Sequence, residues 1–256
     1  MRGEACAKVN IFLKITGTKG TYHTLSSRFM RVPSLCDTLR FVPRDKEEAT
    51  PFRLEGAFGC ALERNTIYRA YRLLCEEGYE ESMRDFFARH SVVVEKRIPE
   101  FAGLGGGSSD AATFLMMCND TLKLTLGTEE LIEIGVRIGA DLPFFLSGYA
   151  SANVFGIGEV VEPFEEEPLD LELFTPQDVR CDTGEVYRRY KGPMQPKLAQ
   201  KMCTLHSYEL LERYDATTLN DLLTPALELC PKLRTQLRPG WFFSGSGSSL
   251  FRRRDG

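Results

Sequence analysis

The sequence predicts a protein of mixed helices and strands, built as two domains around a cleft, and three observations predict it. The chain has 256 residues, 43% hydrophobic and 27% charged, which exceeds one typical domain and suffices to bury a core. Ala5 to Ile15 alternates strictly, as a strand does. Farther on, a strand, a glycine-rich loop and a capped helix follow one another without a spacer between Val92 and Asn119.

The elements follow in order. Ala5, Ala7, Val9, Ile11, Leu13 and Ile15 fall on one face of the first strand, and Cys6, Lys8, Asn10, Phe12 and Lys14 on the other. This is a half-buried strand on which Lys8 and Asn10 stand side by side, facing a polar cleft. "GTKG" (17–20) reads as a turn into a second strand, "YHTLSSRFMRV", paired antiparallel with the first. Asn65 caps a helix that buries Ile67, Ala70, Tyr71 and Leu74, and Gly78 stands where a C-terminal glycine belongs. Val92 to Ile98 is a strand stopped by Pro99, and Ser108 or Ser109 caps the helix that follows. Thr128 caps the next, with Leu131, Ile134 and Ile138 as its buried stripe and Gly139 at its end. "ADLPFFLSG" is a tight connection. From about Tyr149 short strands mix with helices such as Pro196 to Leu211.

The net charge of −4 argues against a general nucleic-acid binder, which needs a basic surface. The Arg252–Arg254 run and the Glu165–Glu167 run read as solvated segments. Cys6, Cys36, Cys60, Cys75, Cys118, Cys181, Cys203 and Cys230 lie far apart with no C-x-x-C pair, so no metal ligands are assigned and the thiols are expected as small core residues. No stretch reaches the ~18 apolar residues of a membrane span, and no leader-like segment opens the chain. A reducing cytoplasm, a small-molecule substrate and a monomer or weak homodimer are the expectations.

Four of the five residues from Gly103 to Gly107 are glycine, with Leu104 between them. Glycine serves where backbone turns through positive φ or approaches another group closely. Leading into a helix N-terminus, with its unpaired N–H groups and positive dipole end, such a run makes a phosphate site. A flexible linker is the other use of such a run, but linkers do not sit between a strand and a capped helix. G-x-x-x-x-G-K-[ST] fails because no lysine follows, and G-x-G-x-x-G fails because Asp110 stands at its last glycine. A different nucleotide scheme is required.

"AKVNIFLKITG" with "YHTL", then "GLGGGSSDAA", "GADLPFF" and "SGSGSSLF" carry a resemblance to the GHMP kinases, spread in order over most of the chain. The resemblance implies an α+β fold of two domains, 1–148 like domain 2 of ribosomal protein S5 and 149–256 ferredoxin-like. It implies ATP with Mg2+, and phosphoryl transfer to an alcohol in the cleft between domains. Gly103, Leu104, Gly105, Gly106, Gly107, Ser108, Ser109 and Asp110 would bind ATP. Asp141 would accept or orient the hydroxyl proton, with Lys8 beside it stabilising the alkoxide.

Within the family the match is closest to the branch whose alcohol, a methylerythritol bearing cytidine diphosphate, is phosphorylated at its 2-hydroxyl in non-mevalonate isoprenoid synthesis. Asn10, Tyr22 and His23 would then bind substrate, Tyr22 by stacking on the base and His23 at its edge, with Thr183 and Tyr187 as the opposite wall. Phe101 and Ala102 replace the small residues usual before this glycine run, and few residues follow Gly247. A kinase for homoserine or mevalonate, or a non-catalytic ATP sensor on the same fold, are the alternatives.

Overall fold

The computed structural model describes residues 1–45 and 52–254. Its chain forms two compact units, each assembled from separated segments. The first holds Met1–Ala7, Pro33–Glu100 and Gly106–Gly148; the second holds Lys8–Val32, Phe101–Gly105 and Tyr149–Gly256. Along the sequence the segments of the two units therefore alternate. Two long strands, β1 (Arg2–Lys19) and β2 (Tyr22–Pro43), contribute to both units.

In the first unit the end of β2 runs antiparallel to β4 (His90–Glu95), from Thr38 opposite Glu95 to Pro43 opposite His90; β3 (Leu54–Glu55) lies parallel on the other side of β4. Helices α1 (Thr66–Leu74), α2 (Glu80–Arg89), α3 (Gly106–Leu122), α4 (Thr128–Val136) and α5 (Leu142–Leu146) complete it. The core is aromatic: Phe52 meets Tyr71 at 4.4 Å between ring centroids, and Phe87 meets Phe41 at 5.4 Å and Phe114 at 5.7 Å. Edge-to-face and tilted geometries of this kind add to the stabilisation from area burial. The Asn65 carboxamide accepts from Ile67 N at 2.9 Å, and α1 buries Ile67, Ala70, Tyr71 and Leu74, as its periodicity predicts. Gly78 takes φ +96°, and the chain turns there into α2.

The second unit pairs Leu25–Met30 of β2 with β5 (Ser151–Gly156), and β5 with β6 (Val160–Pro163). A separate sheet orders β7 (Leu171–Phe174), β9 (Leu250–Arg253) and β8 (Phe242–Phe243). Among the described residues its α-helices are α6 (Thr183–Arg189), α7 (Pro196–Thr204), α8 (Ser207–Arg213), α9 (Ala216–Leu219) and α10 (Leu223–Leu229). No helix among the described residues is long and apolar enough to cross a membrane.

Several expectations are corrected. β1 is covered on both faces rather than half-buried, because Lys8, Asn10 and Lys14 find polar partners inside. Ser108 and Ser109 lie within the first turn of α3, which starts at Gly106, so neither is its cap. Gly127 rather than Thr128 precedes α4, its N–H donating to Glu130 at 2.7 Å. "DLPFF" closes into α5, and Pro196–Leu211 is two helices broken at Leu205 and His206. Glu166 is not solvated: it pairs with fully buried Arg28 at 3.2 Å and accepts from Ser151 and Ser207, each at 2.6 Å. Cys6 and Cys36 form a disulfide in the first unit, and Cys60 is exposed, so the thiols are not uniformly core residues.

Candidate active site

In the second unit the site begins on β1. Lys8, 4% exposed, donates to Asn10 Oδ1 at 2.7 Å, and Asn10 Nδ2 donates to Ser27 Oγ at 2.9 Å. The ammonium lies 4.3 Å from the centre of the Phe29 ring, whose face attracts a cation.

The first half of the glycine loop is held by the "SGSG" segment. Ser244 Oγ donates to Gly103 O at 3.0 Å, Ser249 N to Ala102 O at 3.0 Å, and Lys8 N to Leu104 O at 3.0 Å. Gly103 takes φ +72°, and a Cβ there would collide with Ser244 O, so both uses of glycine apply at one position. Phe101 adopts φ +56°, a left-handed backbone that disfavours a bulky residue, and its ring is exposed.

The second half of the loop belongs to the first unit and opens α3. Thr66 Oγ1 donates to Gly107 O at 2.7 Å and Ser109 Oγ to Cys6 O at 2.8 Å, fixing the first turn. The N–H groups of that turn have no helical acceptors, and the positive end of the helix dipole lies there. Gly107 is exposed, whereas Gly106 lies over Ile98, whose Cγ2 would stand 2.8 Å from an added Cβ. Gly106 is thus dictated by packing and not by positive φ.

Asp110 does not face outward. Its Oδ2 accepts from Lys96 at 2.6 Å, Lys96 also donates to Asp37 at 2.5 Å, and Asp37 takes the Ile98 N–H at 2.8 Å. Asp110 Oδ1 has no hydrogen-bond partner. Burial, then the second carboxylate, push Asp110 up to about 7 against the opposing pull of Lys96, while Lys96 itself is raised by the two aspartates against its own desolvation. One ammonium between two buried carboxylates fully compensates only one of them.

Asp141 sits at the start of α5, half-buried, and its carboxylate does not cap that helix. α5 packs on α3 and α4. A Cβ on Gly139, two residues before Asp141, would lie 3.7 Å from Ser108 Oγ, so "GADLPFF" runs beside the first turn of α3.

Of the residues assigned to the cytidine, the second unit brings His23 and Tyr187 together, rings stacked at 6.1 Å and 25°. Tyr190, which sequence reasoning missed, meets His23 edge-on at 5.8 Å and 89°. Thr183 Oγ1 hydrogen-bonds Ser246 Oγ at 2.8 Å, linking α6 to the "SGSG" segment. Tyr22 is 65% exposed.

Residues 65–149, which carry the glycine loop's second half and the helix it opens, match the GHMP kinases N terminal domain. The chain is 51% identical over 256 residues to 4-diphosphocytidyl-2-C-methyl-D-erythritol kinase of Sulfurimonas denitrificans, covering 97% of this chain and 95% of that protein. The enzyme of that name from Campylobacter jejuni is 41% identical, covering 97% and 98%. A crystal structure of 4-(cytidine 5'-diphospho)-2C-methyl-D-erythritol kinase superposes with a TM-score of 0.75 at 32% identity over 100% of this chain and 91% of that one. The Methanococcus jannaschii mevalonate kinase, 14% identical with a TM-score of 0.62 over 100% of this chain and 90% of that one, shares the fold. The chain belongs to the 4-diphosphocytidyl-2-C-methyl-D-erythritol kinase family of GHMP kinases.

Proposed function

We propose that the chain transfers the γ-phosphoryl group of ATP to the 2-hydroxyl of 4-diphosphocytidyl-2-C-methyl-D-erythritol, in non-mevalonate isoprenoid precursor synthesis in the cytoplasm. The observation that carries the reading is the near full-length likeness to proteins named for that substrate. The finer fold assignment goes with it: an S5-domain-2-like and a ferredoxin-like domain, acting as a monomer or weak homodimer.

The backbone N–H groups of Gly107 and Ser108 cradle the phosphates, and Ser244 and Ser249 hold Ala102 and Gly103 of the preceding loop. Gly105 and Leu104 complete the backbone of the loop. Ser109 and Asp110, committed to Cys6 and Lys96, act by holding the turn in place. Asp141 takes or orients the proton of the hydroxyl, and Lys8 stabilises the negative charge that develops on its oxygen. Asn10 holds the Lys8 ammonium, while His23, Tyr22, Tyr187 and Thr183 hold the cytidine.

Among the described residues no group of three or more His, Cys, Asp or Glu side chains could hold a metal. Magnesium carried by nucleotide phosphates needs few protein oxygens, and the Ser108 hydroxyl in the first turn of α3 fits that need. The ion supplies charge neutralisation on the phosphates when bound. Phosphorus NMR of the product tests the proposal: a new monophosphate on the 2-oxygen is expected, and phosphate on any other oxygen contradicts it.

A further inference from the structure

The aromatic group around His23 contains a residue that no motif assigns. Tyr190 follows the last turn of α6, half-buried, and its hydroxyl donates to Pro193 O at 2.9 Å and lies 3.5 Å from Asp221 Oδ2. Asp221 is itself fixed: its Oδ1 pairs with Lys14, whose side chain is 1% exposed, and its Oδ2 accepts from Ile15 N at 2.7 Å. Lys14 also donates to Thr218 O at 3.0 Å. The phenol is therefore tied to a buried ion pair on β1, and burial beside Asp221 pushes it up to about 12, so it stays a protonated donor.

The other end of the tyrosine faces His23. The imidazole is flanked by Tyr187, nearly parallel at 6.1 Å, and by Tyr190, perpendicular at 5.8 Å. His23 Nδ1 is buried and has no hydrogen-bond partner, so the ring is held by these aromatic contacts and not by a hydrogen bond at that nitrogen. A buried polar atom without a partner is costly, and an orientation kept at that cost requires support from its neighbours.

We propose that Tyr190 is a positioning residue for substrate recognition: anchored through Pro193 and Asp221, its ring fixes the imidazole of His23 in the orientation that meets the edge of the cytosine. The proposal rests on the reading that His23 faces the base. It goes beyond that reading by placing part of base selectivity in a residue that makes no contact with the base. The ring does this work and the hydroxyl secures the ring, so Phe at this position keeps most of the effect and Ala loses it.

A two-residue cycle tests the coupling. KM and kcat are measured for the cytidylyl substrate and its uridylyl analogue in wild type, Tyr190→Phe, Tyr190→Ala, His23→Ala and the double variant. Tyr190→Ala is expected to raise KM for the cytidylyl substrate about 3- to 10-fold, the scale of one aromatic pair, with kcat and KM for ATP unchanged. Tyr190→Phe is expected within about 2-fold of wild type, and Tyr190→Ala in the His23→Ala background is expected to add nothing. An equal loss in both backgrounds, a Phe variant no better than Ala, or a fall in kcat instead of a rise in KM would overturn the positioning role. If His23→Ala alone leaves KM and base preference intact, the base-reading assignment fails first, and the positioning role fails with it.

Discussion

Lys8 and Asn10, two residues apart on one face of β1, are joined by a 2.7 Å hydrogen bond inside the protein, with the ammonium over the Phe29 ring. Burying a lysine side chain costs stability that its polar partners only partly return. Lys8→Met is therefore expected to fold and to retain ATP affinity while kcat falls by about 100-fold or more, if the charge acts on the transition state. Steady-state kinetics with both substrates check it. Equal small changes in all parameters would leave Lys8 a structural residue.

Asp141→Asn keeps the shape of the side chain at the start of α5 and removes its charge. Turnover is expected to fall about 10²- to 10⁴-fold, the range of general-base contributions, with binding of a non-hydrolysable ATP analogue unchanged by calorimetry. Near-normal turnover would take Asp141 out of the chemistry.

Three glycines of the loop should behave differently. Gly103→Ala meets Ser244 O and an unfavourable φ, and Gly106→Ala meets Ile98, so both are expected to lose stability, by about 1–3 kcal/mol. At Gly107 an added Cβ comes no nearer than 3.4 Å to Thr66, so Gly107→Ala is expected to unfold at the wild-type urea midpoint yet bind ATP more weakly. Unchanged ATP affinity in a folded Gly107→Ala protein would remove this turn from the phosphate cradle.

Which of these differences the sequence showed depends on distance along the chain. The face of α1 was legible because Asn65, Ile67 and Tyr71 report on one another within two turns. The pairing of Lys8 with Asn10 was legible because strand periodicity places alternate residues together. The burial of that face was not, since it depends on Ser27 and Ser244, the latter 234 residues from Asn10. Glu166 read as solvated because Arg28 lies 138 residues away. The contact of Asp110 with Lys96 was not legible, because the glycine motif does not show the residues beneath it. Tyr190 was missed because its meaning comes from His23 and Asp221, which no local spacing connects.

The buried Lys96 cluster carries a pH signature. In the unfolded chain Asp110 ionises near the ordinary value of about 3.9. In the folded protein it holds its proton up to about 7. Between these values the folded state binds more protons, so this group makes stability fall as pH rises from about 4 to 7, with its contribution fully lost above. Asp110→Asn is expected to flatten that slope in urea unfolding measured at pH 5.5, 7 and 8.5. A variant with the wild-type slope would assign the pH dependence to other groups.

Substrate identity is the central claim, and ADP release against a panel of alcohols tests it most directly. With ATP saturating, kcat/KM is measured for 4-diphosphocytidyl-2-C-methyl-D-erythritol, homoserine and mevalonate. Turnover of the cytidylyl alcohol, with homoserine and mevalonate at background, is the predicted result. Turnover of homoserine or mevalonate, with none of the cytidylyl alcohol, would contradict it.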